Sequence, residues 1–188
     1  MASTTLMIVI GVILIALVGI AAVLLLRKRN TTRLRTRFGP EYARALKGSG
    51  GRKQGEAGLQ QREKRVAAFE LRPLAPSDRE RYVVSWRKVQ AQFVDDPKGS
   101  VTSADQLLGD VMSTCGYSAS EFEQRSADIS VNHPLLVENY RAAHEIALRH
   151  ASGQASTEDL RQAMIHYRTL FDELVGAPEI ARAKAAGA

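Results

Sequence analysis

Residues Leu6–Leu26, LMIVIGVILIALVGIAAVLLL, run for 21 positions without a charge or a strongly polar side chain. As a helix this run reaches about 31 Å, the thickness of a bilayer's hydrocarbon core. It is too long for the apolar region of a secretory signal, and no charged side chain precedes it in MASTT. It ends directly on Arg27-Lys28-Arg29. The expectation is a single transmembrane helix over 6–26 behind a short outer tail, 1–5. Cationic flanks stay on the cytoplasmic side, so the N-terminus is expected outside and the remainder within. Gly11 and Gly19 are eight apart and form no G-x-x-x-G, so the pattern gives no helix-pairing motif.

Charge follows position. Residues 27–37, RKRNTTRLRTR, hold Arg27, Lys28, Arg29, Arg33, Arg35 and Arg37 and no acid. Residues 38–72 carry 8 basic and 4 acidic side chains, whereas 73–188 carry 12 basic and 16 acidic. The high pI is therefore a property of the membrane-proximal third. A whole-chain case for nucleic-acid binding fails, and only Phe38 stands near the cations to stack on a base. The partner implied for the basic juxtamembrane segment is a bilayer with anionic headgroups.

Beyond it, Pro40 and Glu41 suit a first helical turn, and a short helix is expected through Leu46. KGSGGRKQGEAG then brings Gly48, Gly50, Gly51, Gly55 and Gly58 into eleven residues, which reads as a flexible break. A solvated stalk helix over 59–70 should follow and end at Pro73 and Pro76. The stretch 38–76 is thus read as short helix, Gly-rich linker and stalk.

Helical signals then repeat. Ser77-x-x-Glu80 reads as a capping box, and Tyr82, Trp86, Val89 and Phe93 share one face. A second helix is expected over 101–115 with Leu107, Leu108, Val111 and Met112 inward and Gly116 past its end. Ser118-x-x-Glu121 reads as another box, opening a helix near 119–129. Asn132-His133-Pro134 opens the next, lined by Leu136, Tyr140, Ala143 and Ala147 and closed by Ser152-Gly153. Ser156 caps the last, in which Leu160, Met164, Tyr167, Phe171 and Leu174 face inward. The fold class is all-α: one N-terminal transmembrane helix, a flexible basic and Gly-rich linker, and a compact bundle of about five helices over 77–175. Residues 176–188 are expected as a disordered tail.

Reactive chemistry is sparse. His144 and His150 are six apart, about 600° of helical rotation, and miss the four-residue spacing of a zincin helix. Asp95-Asp96-Pro97 offers two carboxylates where a calcium loop needs four or more oxygens. Cys115 reads as a small buried hydrophobe, and His133 and His166 as capping or hydrogen-bonded groups. There is no P-loop, no G-x-G-x-x-G and no G-x-S-x-G. No catalytic residue, cofactor or metal ligand is assigned. Asn139, Tyr140, Arg141 and His144 on one helix, with His166 and Arg168 on the last, are the candidate partner surface, since Tyr and Arg are enriched in binding hot spots.

RFGPEY at 37–42, EKR at 63–65, VQAQFVDDP at 89–97, HP at 133–134, VENYRAAHEIA at 137–147 and STEDLRQAMIHYRTLF at 156–171 resemble a family of uncharacterised bacterial single-pass membrane proteins. The resemblance spans nearly the whole chain. It implies the same layout in a bacterial cytoplasmic (inner) membrane, and no activity. The expected function is therefore a membrane-anchored, non-enzymatic helical interaction or scaffold protein with a protein partner. The alternative is a small-ligand binder or enzyme using a pocket among Trp86, Tyr140, His144, His166 and Tyr167.

Overall fold

The computed structural model describes the backbone of residues 2–118 and 120–186; the side chains of 1–10, 12, 13, 16, 119 and 177–188 lie outside the described residues. Eight helices and no strand are present among the described residues: α1 Ala2–Phe38, α2 Pro40–Gly48, α3 Arg52–Ala67, α4 Pro76–Gln92, α5 Pro97–Thr114, α6 Phe122–Asn132, α7 Leu136–Ala151 and α8 Thr157–Ala186. The chain divides into two compact units, Met1–Glu56 and Ala57–Ala188.

In the first unit, α1 does not stop where its apolar run ends. It continues through the basic segment to Phe38, so Arg33, Arg35 and Arg37 stand about 10, 13 and 16 Å beyond Leu26 along the axis. From Leu14 to Leu26 its large apolar side chains are exposed, with Leu14 at 57% and Ile15 at 75%. Among the described residues, no helix is long and apolar enough to cross a membrane. Much of the expected span, namely Leu6–Ile10, Val12, Ile13 and Ala16, lies outside the described side chains.

Gly39, at φ 49°, turns the chain into α2, and Pro40 opens that helix as expected. The Gly-rich break shrinks to a three-residue turn at 49–51. α3 begins at Arg52 and passes through both Gly55 and Gly58. The glycine at 55 is there for proximity: a Cβ would lie 2.8 Å from Ser49 Oγ and 2.9 Å from Leu46 Cδ1. Glu56 Oε1 then ties three elements together, accepting from Thr31 Oγ1 at 2.8 Å, Tyr42 Oη at 2.8 Å and Arg52 Nε at 3.0 Å. Desolvation alone would raise the Glu56 pKa, but hydrogen bonds from Arg52, Thr31 and Tyr42 hold it below the usual carboxylate range.

In the second unit, α8 packs on α7 and α5, α4 on α5, and α6 on α7. Tyr82, Trp86, Val89, Leu108, Val111, Met112, Tyr140, Ala143, Leu160, Met164, Tyr167, Phe171 and Leu174 form its core, while Phe93, Leu107, Leu136 and Ala147 are partly buried against it. The expected stalk is not solvated. Leu59 and Val66 of α3 are buried, and Arg65 reaches Asp128 on α6.

Helix starts depart from the reading in instructive ways. Ser77 caps nothing, because Pro76 already holds the first turn of α4 and Ala75 stands at its N-cap. Ser118 caps nothing either; α6 begins three residues later than a cap there would require, behind Glu121. Asp96 accepts from Gly99 N at 2.9 Å and Pro97 occupies the first turn, so α5 opens earlier than 101. Pro134 lies before α7, which opens at Leu136. Ser156 does cap α8: Asp159 N donates to Ser156 Oγ at 3.2 Å, and Ser156 N donates back to Asp159 Oδ2 at 2.8 Å.

Gly116, at φ 93°, ends α5 with Tyr117 N donating to Met112 O and Gly116 N to Ser113 O, both at 3.0 Å. Gly153 closes α7 in the same way. The expected end at Gly176 is absent, and α8 runs on to Ala186. Its last stretch, EIARAKAA, consists mostly of strong helix formers, which outweigh one Gly and one Pro.

Candidate functional site

Among the described residues, polar side chains from four helices, α5, α6, α7 and α8, converge at one cluster. Tyr140 on α7 and Tyr167 on α8 are both fully buried, with ring centroids 6.5 Å apart. Tyr167 Oη donates to Asp105 Oδ1 on α5 at 3.2 Å. Arg125 Nη2 on α6 stands 3.8 Å from Asp105 Oδ2. Phe122, three residues before Arg125, tilts against the Tyr140 ring at 4.7 Å and stacks on His144 at 3.5 Å. Arg141 Nη1 pairs with Glu123 Oε2 at 3.0 Å on the flank.

Gly109 makes the Arg125 position available. A Cβ there would lie 2.7 Å from Arg125 Nη1, so the guanidinium would have to shift to admit a larger residue. A glycine inside a helix costs about 1 kcal/mol relative to alanine, so close approach is its physical reason here.

The electrostatics leave two donors without acceptors. Tyr140 Oη and Arg125 Nε are buried and neither donates to an acceptor, although the Arg125 guanidinium lies close enough to the phenol to oppose the effect of burial. Burial pushes the Tyr140 phenol well above its ordinary pKa; negative Asp105 adds to this and Arg125 opposes it. Tyr167 is raised for the same first reason, with Asp105 and Tyr140 contributing. Both phenols therefore stay protonated near neutrality and serve as donors, not as bases. Desolvation lowers the His144 pKa against the opposing pull of Asp105 and Glu123, so this imidazole is mostly neutral at pH 7. The cluster is packed, with both tyrosine side chains fully buried. It has no nucleophile with an adjacent base.

A buried donor without an acceptor costs about 1–3 kcal/mol. Tyr140→Phe should therefore leave the melting temperature unchanged or raise it, whereas Tyr167→Phe, which loses the Asp105 bond, should lower it by the equivalent of about 1 kcal/mol. If Tyr140→Phe proves the more damaging of the two in parallel thermal melts, the Arg125 guanidinium is holding that phenol oxygen.

The structure unites Tyr140, His144 and Tyr167 and leaves the other expected pocket residues elsewhere. Trp86 stacks on Phe171 at 4.8 Å, and His166 Nδ1 is bonded to Asn139 Oδ1 at 2.8 Å. The candidate partner surface of Asn139, Tyr140, Arg141, His144, His166 and Arg168 needs correction. Tyr140 belongs to the core, because its face of α7 meets α8; Arg168 is exposed beside Asp172 at 3.5 Å. Cys115 is buried, and desolvation raises its thiol pKa. Burial lowers the His133 pKa, with Glu173 opposing. Among the described residues, no group of three His, Cys, Asp or Glu could hold a metal ion.

Asp105 and Arg125 went unread in the sequence. The available signal was Gly109 in mid-helix, four residues after Asp105 and on its face. No protein family, curated protein or solved structure matches the chain.

Proposed function

We propose that this is a membrane-anchored helical interaction protein, in which Leu6–Leu26 spans the bilayer and the bundle is a tethered docking domain of the bacterial single-pass type that the sequence resembles. The observation that carries this reading is the apolar flank of α1. Leu14, Ile15, Leu17, Val18, Ile20 and Val23–Leu26 are exposed around the whole circumference, directly before three consecutive cations. A helix that is apolar all round needs an apolar solvent. The anchor confines the bundle to two dimensions and raises its effective concentration for a membrane partner. The reading is non-enzymatic, because the polar residues of the bundle provide donors and ion pairs but no reacting pair.

The test is retention of the full chain in membrane vesicles under alkaline washing; release would end the proposal. Orientation follows from charge. Neutralising Arg27, Lys28 and Arg29 together should produce molecules of both orientations, as scored by reporters fused at the C-terminus. Uniform retention of one orientation would count against the charge argument.

A second reading, a small-ligand site at this cluster, starts from two buried donors, Tyr140 Oη and Arg125 Nε, that reach no acceptor. Mass spectrometry of the protein purified from native membranes should then find a small molecule on the wild type that Tyr140→Phe loses.

A further inference from the structure

The first unit carries ten Lys and Arg side chains between residues 27 and 56, against Glu41 and Glu56. All ten cations are exposed, and the two carboxylates are not. Glu41 is buried, and Glu56 is held by Thr31, Tyr42 and Arg52. Folding thus withdraws the negative groups and leaves a surface of one sign.

The path of the chain decides where those cations stand. From Thr31 to Gly39, α1 rises about 12 Å, and α2, with nine residues, spans about 13 Å. α2 packs on α1. Past its far end, Arg52 Nη2 at the start of α3 donates to Thr31 Oγ1 at 2.6 Å, so α2 has doubled back along α1. The turn between α2 and α3 is therefore level with Thr31, about 7.5 Å beyond Leu26. Lys47, Arg52 and Lys53 are thereby returned to the level of Thr31, two to four residues beyond Arg27, Lys28 and Arg29 on α1, while Arg35 and Arg37 lie further out.

We propose that Lys47, Arg52 and Lys53 form, with Arg27, Lys28 and Arg29, a folded binding site for anionic phospholipid headgroups. The inference rests on Leu6–Leu26 spanning the bilayer. A level about 7.5 Å beyond the apolar run lies within the Debye length of about 8 Å at physiological salt, so these cations reach the leaflet's field. Phe38 and Tyr42, the aromatic residues of this stretch, are buried, so no exposed ring accompanies the cations to stack nucleic-acid bases.

The experiment titrates the full chain in detergent micelles with phosphatidylglycerol or phosphatidylcholine and reads retained lipid by native mass spectrometry. The wild type should prefer phosphatidylglycerol. Each nearby cation is worth up to roughly fivefold, so Lys47→Gln with Lys53→Gln should reduce that preference by up to about thirtyfold. Arg52 is spared because it also holds Glu56. Arg35→Gln, about 13 Å beyond Leu26, should change the preference less than about twofold. A double-variant effect no larger than that of Arg35→Gln overturns the proposal. So does a single-stranded oligonucleotide that binds the wild type as tightly as phosphatidylglycerol and is lost in the same double variant. Alkaline washing of vesicles reads the anchor separately. Wild type and variants should all stay embedded, and release of the wild type would overturn the spanning reading and with it the placement of the turn.

Discussion

Trp86→Ala should destabilise the bundle by about 3–5 kcal/mol, the usual cost of truncating a large aromatic core residue. The side chain is buried on α4, and its ring lies nearly parallel to Phe171 of α8 at 4.8 Å between centroids. The loss combines transfer free energy, the stack and a cavity that rigid helix backbones cannot close. α4 and α8 otherwise meet little, since α4 packs chiefly on α5. Trp86 is therefore the principal bolt between the outer and central helices. Amide exchange is the appropriate measurement, because helices of the first unit would dominate any whole-chain helicity signal. Protection should fall across α4, α5 and α8 together. Unchanged protection in α8 would mean that the Trp86 face is not core.

Much of that core was legible because each long helix repeats its apolar residues every three or four positions. Tyr82, Trp86 and Val89 on α4 and Leu160 through Leu174 on α8 could be placed inward on spacing alone. Helix starts were harder to read. The pattern Ser/Thr-x-x-Glu occurs inside first turns as readily as at their heads. At Ser77 a proline one residue earlier had already set the helix, and at Ser118 the helix had not yet begun. Glycines misled for a different reason. Gly39, Gly50 and Gly116 have positive φ and mark turns, but Gly55 and Gly109 are helical and mark close approach. Composition cannot separate these uses, because what demands the glycine is a neighbour distant in sequence: Leu46 for Gly55, Arg125 for Gly109. The polar cluster was missed on the same ground. Asp105 and Arg125 each look like an ordinary charge on a helix surface. Only the packing of α5 on α8 and of α6 on α7 brings them to the two tyrosines.

The expected stalk helix supplies the second large effect. Asp128 lies on α6 with its side chain 1% exposed. Arg65 of α3 donates to its Oδ1 through Nε at 2.8 Å and Nη2 at 2.5 Å, and Gln124 Nε2 adds bonds to both oxygens at 3.1 and 3.2 Å. Arg65 itself is one-third exposed, so the two partners are unequal. Removing the arginine strands a buried carboxylate with one neutral donor. Removing the carboxylate leaves a guanidinium that can turn to water. Arg65→Ala should therefore cost about 3–5 kcal/mol, the range for an uncompensated buried charge, and Asp128→Asn clearly less. The double variant Arg65→Ala with Asp128→Asn should recover most of the loss, because the stranded charge is gone and Gln124 can still bond the amide. Urea titration of the four proteins, followed by exchange at α3 and α6 amides, gives the coupling energy of the cycle directly. Simple additivity of the two substitutions would show that α3 is held by the burial of Leu59 and Val66 alone, with the ion pair contributing alignment and no stability.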